Sequence, residues 1–160
     1  MMKKINSKTK KLPLNSINLM SHSQLHALTK HDKLKLKAGG NIDMLDIGVM
    51  QAILNIHPLP VTQNSENNYY LALMPSGFLE RFKAHPLSAK LTVSLLVYPQ
   101  EAAARLLTIG LLYSPAFSMS LALSGNTIQE RLLCFKKHSL PCPTKKVLAN
   151  LANVLPSTFR

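Results

Sequence analysis

The sequence predicts an α+β (or α/β) protein: a small mixed sheet with flanking helices, followed by C-terminal helices. Segments rich in β-branched and aromatic residues, LPVT, NYYLALM and KLTVSLLVYP, occupy the middle of the chain. Segments with apolar residues at helical spacing stand before and after them. With 160 residues, 46% of them hydrophobic and 16% charged, the chain can bury one core, so two full-sized domains are not expected.

The central elements follow one another closely. NIDMLDIGVMQAILNI predicts a helix with Asn41 or Asp43 as its N-cap, and this helix should end before Pro58. The polar residues 63–68 predict a turn between two short strands. Residues 90–99 are almost continuously apolar, which is typical of a strand in the interior of a sheet.

Helices are expected in the remainder of the chain. The first starts near Glu101 and should end before Pro115. The uncharged stretch 106–123 approaches the length of a membrane span, but its polar residues and helix breakers favour a buried helix instead. Asn126-Thr127 is expected to cap the helix of IQERLLCFKKH, and Thr144 the helix of KKVLANLANV.

Positive charge dominates the N-terminal region. The formal net charge is +12, and residues 1–37 hold nine Lys and one acidic residue. Such an excess favours a polyanionic partner, with nucleic acid before an anionic membrane surface. We therefore divide the chain into a flexible basic tail (1–37), a core (38–123) and a helical C-terminal segment (124–160); a merely solubilising tail stays an alternative. The candidate phosphate-contacting residues of the tail are Lys3, Lys4, Lys8, Lys10, Lys11, Lys33, Lys35 and Lys37.

The middle of the chain carries a family resemblance. HPLPV, a Tyr-Tyr strand, a glycine turn, a short basic helix and LTVSLLVYP follow in the order seen in the N-terminal domain of the ParB and sulfiredoxin-like superfamily, which residues 42–100 resemble. The resemblance implies a turn that grips a phosphate with helix amides and Arg. It carries over, in degenerate form, to Ser76, Gly77 and Arg81. We predict no cofactor, and the resemblance leaves a CTP-like nucleotide open.

The C-terminal residues LANLANVLPSTFR resemble the first helix, the turn and the opening of the second helix of a helix-turn-helix, in truncated form. Ala149 would stand where the helices cross, Asn153 in the turn, and Phe159 at the start of the recognition helix. An amphipathic helix packed on the core is the alternative. The candidate DNA-contacting residues of this region are Lys136, Lys137, Lys145, Lys146, Ser157, Thr158 and Arg160.

These features predict a cytoplasmic DNA-binding accessory protein that contacts mainly phosphates. Its role in partition, maintenance or regulation of a plasmid or mobile element is what the ParB-like resemblance implies. A protein partner or a homodimer stays open, and no membrane partner is expected.

Two alternatives remain. One is a nucleotide-dependent enzyme or nuclease that uses the turn at 76–81, although the dispersed acidic residues beyond the tail favour a non-enzyme and no catalytic residue is assigned. The other is an interaction subunit that docks through 106–123. No metal site is predicted, because Cys134, His138 and Cys142 lack the paired spacing of a zinc site.

Overall fold

The computed structural model describes residues 4–32, 41–64, 66–119 and 121–159, with the backbone alone at 121–124. The strands found in these residues are β1 (Lys8–Pro13), β2 (Leu19–Ser21), β3 (Leu59–Asn64), β4 (Tyr69–Ala72) and β5 (Thr92–Tyr98). The α-helices are α1 (Ser23–Thr29), α2 (Ile47–Ile56), α3 (Leu79–Ala84), α4 (Ala103–Thr108), α5 (Ser114–Ser118), α6 (Leu121–Lys137) and α7 (Lys145–Leu151). The fold is therefore α+β, which confirms the predicted fold class.

One mixed sheet joins the strands in the order β1-β5-β3-β4-β2. The pairs β1–β5 and β3–β4 are antiparallel, whereas β3–β5 and β2–β4 are parallel. As predicted, β5 is an interior strand, with Lys10 opposite Leu95 on one side and Val61 opposite Val97 on the other. Its continuous apolar character fits a strand with neighbours on both edges.

The chain divides into two compact units. The first falls within Met1–His22 and Leu36–Ala102, and the second within Ser23–Lys35 and Ala103–Arg160. These boundaries differ from the predicted ones, because the N-terminal segment contributes to both units and residues 103–119 belong with the C-terminal helices. Of the residues that the structure describes, none lies in a helix long and apolar enough to cross a bilayer.

The core of the first unit lies on one face of the sheet. Register places Leu59 and Val61 of β3 beside Leu95 and Val97 of β5 on this face. Two helices complete the same cluster of buried side chains: α2 contributes Met50 and Leu54, and α3 contributes Leu79 and Phe82. Residues on α2 spaced four apart face the sheet together, which is the spacing that predicted this helix. Its N-cap is Asp46, which accepts from the amide of Val49, and not Asn41 or Asp43.

The side chain of Gln51 extends the backbone pairing of β5. Its Nε2 donates to the carbonyl of Thr92 at 2.9 Å, and its Oε1 accepts from the amide of Thr92 at 2.9 Å. Because β3 pairs with β5 only from Leu95 onward, no strand among the described residues meets this edge of Thr92. The side chain of Gln51 thus pairs with Thr92 as a neighbouring strand would, and it joins α2 to the sheet.

The prediction of a flexible tail is wrong for the part of residues 1–37 that the structure describes. Residues 8–13 form β1, residues 19–21 form β2, and residues 23–29 form α1. Leu14 and Ile17, which the sequence did not single out, anchor this segment, since both are buried in the core of the first unit. Every residue of β1 except Leu12 is exposed, and lysines on an edge strand prevent its pairing with other chains. The resulting pattern shows neither helical nor strand periodicity in hydrophobicity.

The second unit is built from helices. The predicted end of the first of them before Pro115 is wrong, since α4 continues through π-helical Ile109–Tyr113 into α5. In the π segment the amide of Ser114 donates to the carbonyl of Ile109, five residues earlier. Pro115 fits at the start of α5 because the first residues of a helix need no amide donor.

Helix α6 begins earlier than predicted. The expected cap, Asn126-Thr127, lies inside the helix. Thr127 is buried, as are Ile128, Leu132 and Phe135. Burial of this face overrides the weak helix propensity of Gly125 and Asn126. Thr144 does cap α7, and its hydroxyl accepts from the amide of Val147.

A partly buried ion pair connects the segment after α1 to α6. Arg131 Nη2 lies 2.6 Å from Asp32 Oδ2, and Arg131 Nε lies 3.0 Å from Asp32 Oδ1. The remaining nitrogen, Nη1, donates to the carbonyl of Leu111 at 3.1 Å. Leu111 is the residue whose carbonyl an amide at position 115 would take in an α-helix, and Pro115 has no such amide. Arg131 therefore supplies the hydrogen bond that Pro115 cannot.

Candidate functional site

A cavity of about 460 Å³ opens in the first unit between two short segments. Residues 56–60, where α2 ends and β3 begins, form one wall, and residues 74–78, between β4 and α3, form the other. The walls are largely apolar, and the cavity is open to solvent, since half of its lining residues are exposed: Ile56, His57, Pro58, Pro75 and Gly77.

Prolines and backbone bonds shape both walls. His57 ends α2 outside helical geometry, with φ −119° and ψ 71°, because Pro58 follows it, and its amide still bonds to the carbonyl of Ile53 at 3.1 Å. On the other wall, the amide of Leu73 donates to the carbonyl of Pro60 at 3.0 Å. After that bond the chain leaves the sheet, and Pro75 lies in the turn that leads to α3.

Aromatic rings and one hydroxyl give the cavity its chemistry. The ring of Phe78 lies with its centroid 5.7 Å from that of His57 and 5.4 Å from that of Phe82. Ser76 Oγ is buried and has no hydrogen-bond partner among the residues that the structure describes. Such an atom is unusual, since most buried polar groups are hydrogen-bonded.

A second, smaller cavity of about 100 Å³ adjoins the same turn. It shares Leu59, Met74, Pro75 and Ser76 with the larger one, and Glu80 of α3 adds a carboxylate to its wall. Ser76 therefore lines both cavities. A single torsion sets the direction of its hydroxyl.

The predicted phosphate turn is assembled only in part. Ser76 and Gly77 line the larger cavity, whereas Arg81 lies on α3 and does not. None of the described lining residues is Lys or Arg. Phe78 precedes the helix without a side-chain cap, in the place where the family pattern needs a polar residue. A nucleotide at this turn stays a prediction, without a cation in the cavity wall to support it.

The lysines of β1 do not share one face. Alternation along the strand places Lys8 and Lys10 on one side of the sheet and Lys11 on the other. Lys10 is engaged within the unit, since its Nζ lies 3.2 Å from both Gln63 Oε1 and Tyr70 Oη. Lys4 is exposed ahead of the strand. The other predicted contacts of this region lie outside the described residues: Lys3, Lys33, Lys35 and Lys37.

Four lysines of the second unit stand on consecutive helices. Lys136 and Lys137 are the last residues of α6, and Lys145 and Lys146 are the first of α7. All are exposed except Lys145, which is half-buried. Within the described residues they form no ion pair. They therefore present their charge on either side of the connection at 138–144.

Helix α7 ends in a turn at Asn153, and the helix-turn-helix resemblance of this region stays a prediction. Ala149 is fully buried, and Asn153 has the left-handed φ of 54° that a turn residue needs. The amide of Val154 donates to the carbonyl of Ala149 at 3.0 Å, which closes the end of α7.

The predicted start of a recognition helix is wrong at Phe159. A single 3-10 turn, Pro156–Thr158, follows α7 and presents Ser157 and Thr158 at the surface. Phe159 then leaves helical geometry and is only 1% exposed. Its large apolar side chain gains more from burial than from a place on a DNA-facing helix. Arg160 lies outside the described residues.

Sequence reasoning missed most of the cavity. His57, Pro58, Met74 and Phe78 were not singled out as site residues. The available signals were two proline-containing breaks, HPLP and MPSG, at the ends of neighbouring elements. Neither a protein-family model nor a curated protein nor a solved structure matches this chain. The ParB-like resemblance therefore stays a prediction.

Proposed function

We propose that the protein binds DNA through lysine contacts to backbone phosphates, in an accessory role of the ParB-like kind that the resemblance implies. The observation that supports this most is the charge of the second unit, whose segments hold ten Lys or Arg against two acidic residues. The pair of Asp32 with Arg131 removes one charge of each sign and leaves nine basic residues against one acidic residue.

The positions of the lysines add to this argument. Lys145 and Lys146 occupy the first turn of α7, where the helix dipole disfavours cations. They do not serve the stability of that helix, so a surface anion is the better explanation for them. A DNA phosphate near these side chains would be neutralised and would release its counterions.

Contacts of this kind give affinity with little sequence information. Base readout would need a helix that reaches the major groove, and Phe159 is buried where such a helix would begin. The proposal is therefore binding with weak sequence preference. The role in partition or maintenance of a plasmid or mobile element rests on the resemblance alone.

The test uses two variants with the same change in net charge. One carries Lys136→Gln, Lys137→Gln, Lys145→Gln and Lys146→Gln in the second unit. The other carries Lys4→Gln, Lys8→Gln, Lys11→Gln and Lys90→Gln in the first unit, all at exposed positions.

If the lysines of the second unit contact phosphates, the first variant should lower the slope of log affinity against log salt by about 3 to 4. The matched variant should change it much less. Equal losses in the two variants would mean that only the net charge matters, and the proposed surface would be wrong.

A further inference from the structure

The two edges of the sheet in the first unit differ in charge. β1 forms one edge and carries three lysines, whereas β2 forms the other and contains only Leu19, Met20 and Ser21. No Lys, Arg, Asp or Glu occurs from residue 12 to residue 29. Proteins use charged side chains to keep edge strands from pairing, so the edge at β2 lacks the protection that β1 has.

The backbone of β2 has hydrogen-bonding groups on its outer side. The amide of His22, directly after the strand, donates to the carbonyl of Ala72 in β4 at 3.0 Å. Alternate residues of a parallel ladder face the neighbouring strand, so in this register Met20 also bonds to β4. Leu19 and Ser21 then direct their N–H and C=O groups away from β4. These two amides and two carbonyls have no partner among the described residues.

A second copy of the same strand fits these groups. When two β2 strands run antiparallel with Met20 of each copy at a two-fold axis, Leu19 of one copy lies opposite Ser21 of the other. Each such pair exchanges two N–H···O=C bonds, so every outward group of both copies is satisfied. The contact is self-complementary, as a two-fold interface must be.

Met20 adds a side-chain contact at the same axis. It stands at the non-hydrogen-bonded position of the antiparallel pair, where opposite side chains approach most closely. Its side chain is 54% exposed in the single chain, and pairing would cover it with Met20 of the second copy. The chain has a net charge of +12, so two copies repel each other, and an edge strand without charge adds nothing to that repulsion.

We propose that two copies of this chain associate through β2, antiparallel about a two-fold axis, so that their sheets form one continuous sheet. The contact belongs to the first unit and is independent of the DNA contacts proposed for the second. It consists of a few backbone hydrogen bonds and two Met side chains, so we expect a weak dimer with a Kd of about 100 µM.

Sedimentation velocity without DNA tests the association, at concentrations from about 10-fold below to about 10-fold above this Kd. Met20→Lys places two ammonium groups opposite each other and should weaken the dimer roughly 10-fold. Met44→Lys is the matched control, because it adds the same charge at a Met that is 79% exposed and lies outside the strand. It should change the Kd less than about 2-fold. Both positions are exposed, so the fold should tolerate both variants.

Disulfide formation tests the register. Opposite Cα atoms at a non-hydrogen-bonded position lie about 4.5 Å apart, which a disulfide can span. Met20→Cys should therefore form a covalent dimer under mild oxidation. Met44→Cys should form much less, and it also controls for the native thiols of Cys134 and Cys142.

Three results would overturn the proposal. The wild type could remain a monomer over the whole concentration range, or Met20→Lys and Met44→Lys could weaken the dimer equally. Equal covalent dimerisation of the two Cys variants would show that residue 20 does not lie at a two-fold contact. Because no DNA is present, none of these results bears on the proposed binding to DNA.

Discussion

Arg131 and Asp32 form a bidentate ion pair in which the two side chains are only 13% and 12% exposed. Both nitrogen–oxygen contacts are short, at 2.6 and 3.0 Å. The same guanidinium donates to the carbonyl of Leu111, so one side chain joins three segments of the second unit. The planar fork of Arg suits this arrangement, whereas Lys could not make these bonds together.

Removing Arg131 should destabilise the second unit more than any surface substitution. Arg131→Gln removes the ion pair of a partly buried carboxylate and the hydrogen bond to the carbonyl of Leu111, and we expect a loss of about 3 kcal/mol in the free energy of unfolding. Asp32→Asn keeps a hydrogen-bonding group of the same shape and should cost about 2 kcal/mol. Urea denaturation followed by circular dichroism measures both. Losses below about 0.5 kcal/mol, as for an exposed pair, would contradict the burial of these groups.

Substitutions at Pro115 and Arg131 should have coupled effects on the free energy of unfolding, because both change the hydrogen bonding of the carbonyl of Leu111. In a Pro115→Ala background, the new amide can donate to the carbonyl of Leu111, so Arg131→Gln should cost about 1 kcal/mol less than in the wild type. Asp32→Asn is the matched control, because Asp32 does not touch that carbonyl, and its cost should not depend on residue 115. Additive effects of Pro115→Ala and Arg131→Gln in a double-mutant cycle would disprove the coupling.

Gln51 should stabilise the first unit through its two bonds to Thr92. Gln51→Ala leaves a backbone amide and a carbonyl without partners and should cost about 2 kcal/mol. Gln51→Glu can still accept from the amide but cannot donate to the carbonyl, so its loss should be intermediate. Asn55→Ala, which removes only the exposed bond between the two side chains, is the control. Equal stabilities of the Ala and Glu variants would argue against pairing at both groups of Thr92.

Burial lowers the pKa of His22 below its ordinary value of 6.5. The unfolded chain therefore binds a proton more readily than the folded one, and the free energy of unfolding should fall as the pH drops through about 6.5 toward the folded-state pKa. Above that range the contribution of this residue is complete. His22→Gln should reduce the difference in stability between about pH 7.5 and pH 5.5. An unchanged pH dependence in this variant would assign the effect to other groups.

The sequence predicted the centre of the fold because its elements have clear patterns. α2, β3, β4 and β5 occur where periodicity and breakers placed them, in the predicted order. The N-terminal strands had no such pattern, since β1 is exposed on both faces and its lysines resemble those of a solvated tail. Its place in the sheet depends on β5, which lies more than seventy residues further along the chain.

The helical unit was harder to predict for a similar reason. A proline inside a helical pattern usually ends the helix. Here the π segment and Arg131 compensate for the missing amide of Pro115. Arg131 lies far from Pro115 in the sequence, so patterns of neighbouring residues do not predict that it compensates for the proline. The cavity of the first unit likewise depends on two segments that meet only in the folded chain, and only Ser76 and Gly77 of its walls were proposed from the sequence.

Binding to DNA is the central claim, and it is tested most directly with the intact chain. Deleting residues 1–37 would remove β1, β2 and α1, so loss of binding in a truncated chain could reflect unfolding.

The measurement is the fluorescence anisotropy of two labelled duplexes of unrelated sequence, titrated with the protein across a salt series. We expect similar affinities for the two duplexes and a steep loss of affinity with rising salt, because phosphate contacts dominate. Absence of binding at low salt would contradict the proposed function.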